Sequence, residues 1–316
     1  MDTFFAILKN VIIFVALAMP GYILVKTKIL KSADAAPLSK LLTNVGMPFL
    51  ILSGTLQVDL DANFALTAGI AAVLLLIVLI FVFFASIPLT AMEKDVKKRG
   101  MMRFSTIFAN NGFLGIPLAM AVFYDNPNII AILIIMNLVQ NLITIDVGAY
   151  LIAENKPPFK IKKLLINPIL IAFIIGLILN LTGIIKEIPE IQSFSDHLKN
   201  IVTPISMTIL GMKLADVKFT AMFANPKTYY VSMLKLILVP VVGVALAFAC
   251  ANIFSLSNDI IIASFIAFAM PVAGLASTLA DQHDGDTEGA VFYTLGSTII
   301  SIATIPLLYL LLTVII

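Results

Sequence analysis

The chain has 316 residues, of which 60% are hydrophobic and only 12% charged, with a formal net charge of +2 and a mean hydropathy of +1.07. Soluble domains carry about 25% charged residues, so most of this surface faces lipid, and the near-neutral balance excludes a nucleic-acid partner held by charge. A single cysteine, Cys250, excludes a disulfide framework and a Cys-rich metal site.

A helix crossing the hydrocarbon core needs about 20 apolar residues. Ten stretches qualify: 4–25, 35–56, 64–90, 104–123, 129–152, 162–182, 194–214, 229–252, 260–281 and 287–315. The first begins with Asp2 and not a basic segment, and no small-residue cleavage motif precedes Pro20, so it reads as a mature span and not a signal peptide. Spans 2, 4, 7 and 9 carry more polar residues, Gly and Pro than the others, and span 2 has Asn44, Gly46 and Pro48. Span 4 runs Phe108-Ala109-Asn110-Asn111-Gly112-Phe113-Leu114-Gly115-Ile116-Pro117, where Pro117 cannot donate to the carbonyl of Phe113. In lipid that freed carbonyl needs another partner. Span 5 places Asn137, Gln140 and Asn141 on one helical face, either to meet a solute or to satisfy the freed backbone.

The second half repeats the first. Leu42-Thr43 falls on Val202-Thr203, Phe108-Ala109 on Phe268-Ala269, and each apolar stretch of the first half lands on one of the second. Span 9 is broken at Met270-Pro271 as span 4 is around Pro117. The expected architecture is therefore an all-α membrane protein: two five-helix repeats, 1–156 and 157–316, with interrupted helices 4 and 9 crossing near the bilayer midplane. The basic residues set the orientation. Lys26, Lys28, Lys31 and Lys40 lie between spans 1 and 2, and Lys94, Lys97, Lys98, Arg99 and Arg103 between 3 and 4. Lys156, Lys160, Lys162 and Lys163 lie between 5 and 6, and Lys213, Lys218 and Lys227 around the link between 7 and 8. The opposite loops hold Lys186 and Lys199. The lysine-rich side is the cytoplasmic one, which puts the chain in the cytoplasmic membrane with both termini outside. An odd number of spans per half inverts one repeat relative to the other.

The candidate substrate contacts follow from the breaks. They are Asn110, Asn111, Gly112 and Pro117 of span 4, Met270 and Pro271 of span 9, Asn137 and Asn141 of span 5, and Asn44 of span 2. An amide offers two donors and an acceptor, which suits a carboxylate or a hydroxy acid. Asp146 of span 5 and Lys235 of span 8 are ionisable groups within the apolar stretches, functional candidates by default. Both lie about 9 Å in from the cytoplasmic end, a depth that permits a salt bridge. Otherwise Lys235 snorkels and Asp146 meets water, or Asp146 couples transport to protons. The acidic link Asp281–Glu288 does not match a calcium loop, His197 and His283 are too far apart for a zinc motif, and no cofactor is expected.

Asn-x6-Pro with Gly115-Ile116-Pro117 resembles the span-4 motif of the auxin efflux carrier family, and Gly296-Ser297-Thr298, Ser301, Thr304 and Pro306 resemble its last-span pattern. The resemblance covers the whole chain and is closest to the short microbial members, often described as malate or malonate permeases. It implies a two-domain elevator. The scaffold would comprise 4–56 and 162–214, with the homodimer contact, and the transport domain 64–152 and 229–315. Asn110, Pro117 and Pro271 carry over as site positions; Met270 stands where the repeat would put a second Asn. The function implied is secondary transport of a small organic anion, driven by protons or the membrane potential. A sodium-coupled bile-acid-type symporter and a transporter-derived channel or receptor are the alternatives. No catalytic constellation supports an enzyme. With arginine only at Arg99 and Arg103, no span offers the bidentate partner that a dicarboxylate favours.

Overall fold

The computed structural model describes residues 2–58, 60–153, 166–184 and 188–316. The expected seam at 156/157, the lysines at 156–163 and Lys186 lie outside these residues. In chain order the helices are α1 Asp2–Lys26, α2 Ala35–Leu41, α3 Met47–Leu56, α4 Ala62–Leu89, α5 Val96–Ile107, α6 Ile116–Val122 and α7 Pro127–Ile152. There follow α8 Pro168–Leu181, α9 Glu190–Lys199, α10 Val202–Ala215, α11 Phe219–Ala224, α12 Pro226–Met233, α13 Val239–Phe254, α14 Asp259–Ala269, α15 Ala276–Gln282 and α16 Thr287–Ile315. Among the described residues the only extended pairing is an isolated antiparallel bridge between Ala109 and Val272.

Among the described residues, six helical stretches are long and apolar enough to cross a bilayer: Phe4–Lys26, Ser32–Leu56, Ala62–Leu89, Pro127–Ile152, Pro226–Phe254 and Thr287–Ile315. Asn111–Val122, Pro168–Leu181 and Asp259–Ala269 are apolar but shorter. The stretches at 104–123, 194–214 and 260–281 are each divided between two helices. Apolar side chains stand outward in rows, such as Val73, Ile77, Ile80, Phe81 and Phe84 of α4 and Ile171, Ile174, Ile175 and Ile178 of α8. A water-soluble surface does not leave such bands open.

Three segments, Leu42–Gly46, Asn111–Gly115 and Leu234–Leu238, are wound as π-helix. Each runs into a helix with proline in its first two positions: Pro48, Pro117 and Pro240. The cause is local. Proline has no N–H for the carbonyl four residues back, and widening the preceding turn accommodates the missing bond.

Packing follows small residues. α1 and α10 cross so closely that a Cβ on Gly21 would overlap the carbonyl oxygen of Thr208, and one on Gly211 that of Ala18. α3 packs on α8, α4 on α7, and α13 on α14. On the loop side, Lys227 at the start of α12 pairs with Glu93, and the Tyr230 hydroxyl donates to the Leu89 carbonyl at 2.7 Å. The hydrogen bond from Lys227 holds the Glu93 carboxyl below the usual carboxylate range. Glu93 therefore contributes stability above the unfolded-state value of about 4.3, and this contribution is lost as pH falls through the lower folded value. Melting temperature should drop on acidification into that window, and Glu93→Gln should flatten that part of the profile.

Candidate functional site

α5 ends at Ile107 and α14 at Ala269, and the chain then runs extended at Phe108 and at Met270. The two unwound segments pair with each other. The Asn110 N–H donates to the Pro271 carbonyl at 2.8 Å, and the Ala273 N–H to the Phe108 carbonyl at 3.0 Å. Four further backbone groups are met from neighbouring helices. Gln140 of α7 takes both sides of Ala109, donating from Nε2 to its carbonyl at 2.7 Å and accepting from its N–H at 3.4 Å. Lys235 donates from Nζ to the Ile107 carbonyl at 3.3 Å, and Ser297 Oγ accepts from the Val272 N–H at 3.1 Å. Unwound backbone inside a membrane persists only when satisfied in this way.

The break in span 4 is at Phe108–Asn110, not at Pro117. The proline lies beyond the π-helical segment, in the first turn of α6. The carbonyl it frees, that of Phe113, accepts from Ser206 Oγ of α10 at 3.2 Å, a hydroxyl shared with the Thr203 carbonyl at 3.0 Å. Ser206→Ala orphans that carbonyl and should lower stability by about 0.6–1.7 kcal/mol, read as a melting shift that Ser206→Thr restores.

A cavity of about 40 Å³ lies against the crossover, walled by Asn110, Gly112, Phe113, Asn137, Asn141 and Gly274, with Thr43 and Met47 opposite. It has room for ordered water and is far below the ~300 Å³ of a pocket that encloses a whole ligand. No charged side chain lines it. Asn137 is 1% exposed, and neither Oδ1 nor Nδ2 has a partner among the described residues. The Asn110 amide is likewise unpaired among the described residues and faces both this cavity and a second one of about 40 Å³. The second cavity adjoins a vestibule of about 640 Å³ among residues 32–39, 213–221 and 277–292, and shares Ser39 and Lys213 with it.

Asn110, Gly112, Asn137 and Asn141 thus come together. The other expected contacts do not line this cavity. Asn111 is buried and donates to Gln140 Oε1 at 3.2 Å. Met270 packs beside Gly115, where an added Cβ would stand 3.0 Å from Met270 Cγ. Pro271 contributes its backbone carbonyl to the bridge, and Pro117 is buried in α6. Asn44 is exposed and donates back to the Lys40 carbonyl at 2.8 Å; span 2 supplies Thr43 and Met47 in its place. Asp146 and Lys235 form no ion pair among the described residues. Lys235 is 1% exposed and turned to Ile107, and Asp146 is half-buried. Phe113 and Thr43, which the sequence does not mark as contacts, line this cavity, and Lys213, grouped by sequence with the loop charges, lines the second one and the vestibule.

A family profile described as "Membrane transport protein" matches residues 5–309. The chain belongs to the membrane transport protein family, the auxin-efflux-carrier-like transporters. It is also similar to an uncharacterized transporter of Methanothermobacter thermautotrophicus, 26% identical over 309 residues, which are 95% of this chain and 96% of that protein. The crossover accordingly lies in the polar interior of a membrane transporter.

Proposed function

We propose that this transporter is a secondary carrier of a small organic anion, preferentially a monocarboxylate, bound at the crossover by the amides of Asn110, Asn137 and Asn141. The observation that carries the reading is Asn137. A buried amide with both polar atoms unpaired costs about 1–3 kcal/mol, and a carboxylate or hydroxyl in the adjoining cavity would recover it. The cavity's small size fits a state closed around water, to be widened by movement when the solute enters.

We assign the motion to an elevator in which 64–152 and 229–315 move against a scaffold of 4–56 and 162–214, the two halves being inverted five-helix repeats. The close seams of α1 with α10 and of α3 with α8 support such a scaffold, and the exposed apolar face of α8 gives it a surface for a homodimer. The lysine-rich loops support a cytoplasmic-membrane location with the termini outside, so that the vestibule opens inward. Sodium coupling is disfavoured: the carbonyls of Ile107, Phe108, Ala109 and Pro271 are already engaged, one of them by the lysine ammonium. A sodium ion there would have to share these oxygens with their donors and meet a like charge at Lys235.

The test is initial-rate uptake of labelled organic acids by proteoliposomes under imposed pH, potential and sodium gradients. Saturable uptake with counterflow, indifferent to sodium, is the expected result; uptake that stays linear in concentration would make this a channel. Asp146→Asn should abolish acceleration by an inward proton gradient while leaving counterflow intact. A variant with the wild-type pH response would remove Asp146 from the coupling.

A further inference from the structure

Among the described residues no cationic side chain lines the crossover cavity, yet the anion's charge must be balanced along its route. The three cavities are contiguous through shared walls: Asn110, Phe113 and Gly274 separate the crossover cavity from the second, and Ser39 and Lys213 separate the second from the vestibule. Lys213 stands on α10, half-buried, where the route narrows from about 640 Å³ to about 40 Å³. Its Nζ donates to Ser277 Oγ of α15 at 2.8 Å. An ammonium has three donors, and among the described residues Lys213 forms no ion pair. The charged groups around it are those of the vestibule wall: Asp216, Lys218, Asp281 and Glu288. Structural lysines at such depth are normally paired; this one is held by a neutral hydroxyl that a carboxylate can displace.

We propose that Lys213 is the cationic contact for the substrate's carboxylate as it passes from the vestibule toward Asn110. The proposal rests on the carrier reading above and adds to it the group that selects negative charge. On arrival the carboxylate accepts from Nζ in place of Ser277, a charge-assisted bond stronger than the neutral one it replaces. The anion then lies within one cavity of the amide that lines both chambers.

The experiment compares uptake kinetics of labelled indole-3-acetate and labelled malate in proteoliposomes. Lys213→Gln should raise KM for both by about tenfold, and Lys213→Arg should recover most of that loss. In a Cys250→Ala background, Lys213→Cys treated with 2-aminoethyl methanethiosulfonate, which restores a positive charge, should regain low KM, and the neutral methyl reagent should not. Wild-type KM with lowered Vmax in Lys213→Gln, or equal rescue by the neutral reagent, would overturn the assignment and make Lys213 a latch between helices. Wild-type vesicles that move neither probe would instead bring down the carrier reading itself.

Discussion

Asn137→Leu should reduce the rate of solute uptake about 10- to 100-fold while leaving the purified protein as stable as wild type or more so, by about 1 kcal/mol. The two effects have opposite signs for one reason. In the resting fold the amide is buried and unpaired, so replacing it with an apolar group of similar volume removes a desolvation cost. In the loaded state the same amide would donate to the solute, and a hydrogen bond to a charged group contributes about 1.5–3 kcal/mol. A purely structural Asn would behave in reverse, losing stability with little change in transport. Gln140→Leu provides the contrast. It strips partners from the Ala109 N–H, the Ala109 carbonyl and the Asn111 amide, each about 1–3 kcal/mol if left unmet. That variant should melt well below wild type. Initial-rate uptake and thermal melting on the same preparations decide both cases, and an Asn137→Leu protein with normal transport would remove this side chain from the site.

The second large effect is steric. Gly211→Val or Gly21→Val should prevent recovery of folded protein, since the new Cβ would occupy the place of a backbone carbonyl oxygen on the facing helix. Backbone cannot rotate aside as a side chain can. The cost therefore exceeds the ~1–3 kcal/mol of ordinary overpacking. Small residues let membrane helices approach closely where no hydrophobic drive separates protein from lipid. Gly69, with nothing within 4 Å of an added Cβ, is the control: Gly69→Ala should express and melt like wild type. Monodispersity by gel filtration distinguishes the outcomes.

The apolar stretches were legible because hydropathy over twenty residues is a strong signal, and interruption of the helices around Asn110 and Pro271 was legible because glycine, asparagine and proline cluster there. The position of the first break was not. Proline suggested Pro117, but a widened π turn absorbs the lost bond and Ser206 meets the freed carbonyl, so the helix survives its proline and fails seven residues earlier. There the backbone finds a better partner across the molecule, in Pro271 and Ala273. That pairing is long-range and leaves no local trace. The amide stripe on α7 was visible as a face, but its division of labour was not. Gln140 has the reach to bridge a peptide group, while Asn137 stops short and is left for the cavity. Asn44 misled because an exposed asparagine can satisfy itself on its own helix. Lys213 was hidden by its neighbours: near other lysines at a helix end, it reads as a loop charge until the vestibule beside it is seen.

One helix, α10, presents two unlike seams. Toward α1 it offers Gly211, facing Gly21 across the seam, and carbonyl oxygens fill the room that side chains would have taken. Toward the crossover, about two turns apart, it offers Ser206 and Lys213, each holding its neighbour through a proton that water or a carboxylate could accept instead. The first junction is closed by backbone against backbone, the second only by side-chain hydrogen bonds. In the elevator reading, slippage under load would therefore fall on the solute's side of this helix, with α1 and α10 held together as one fixed piece.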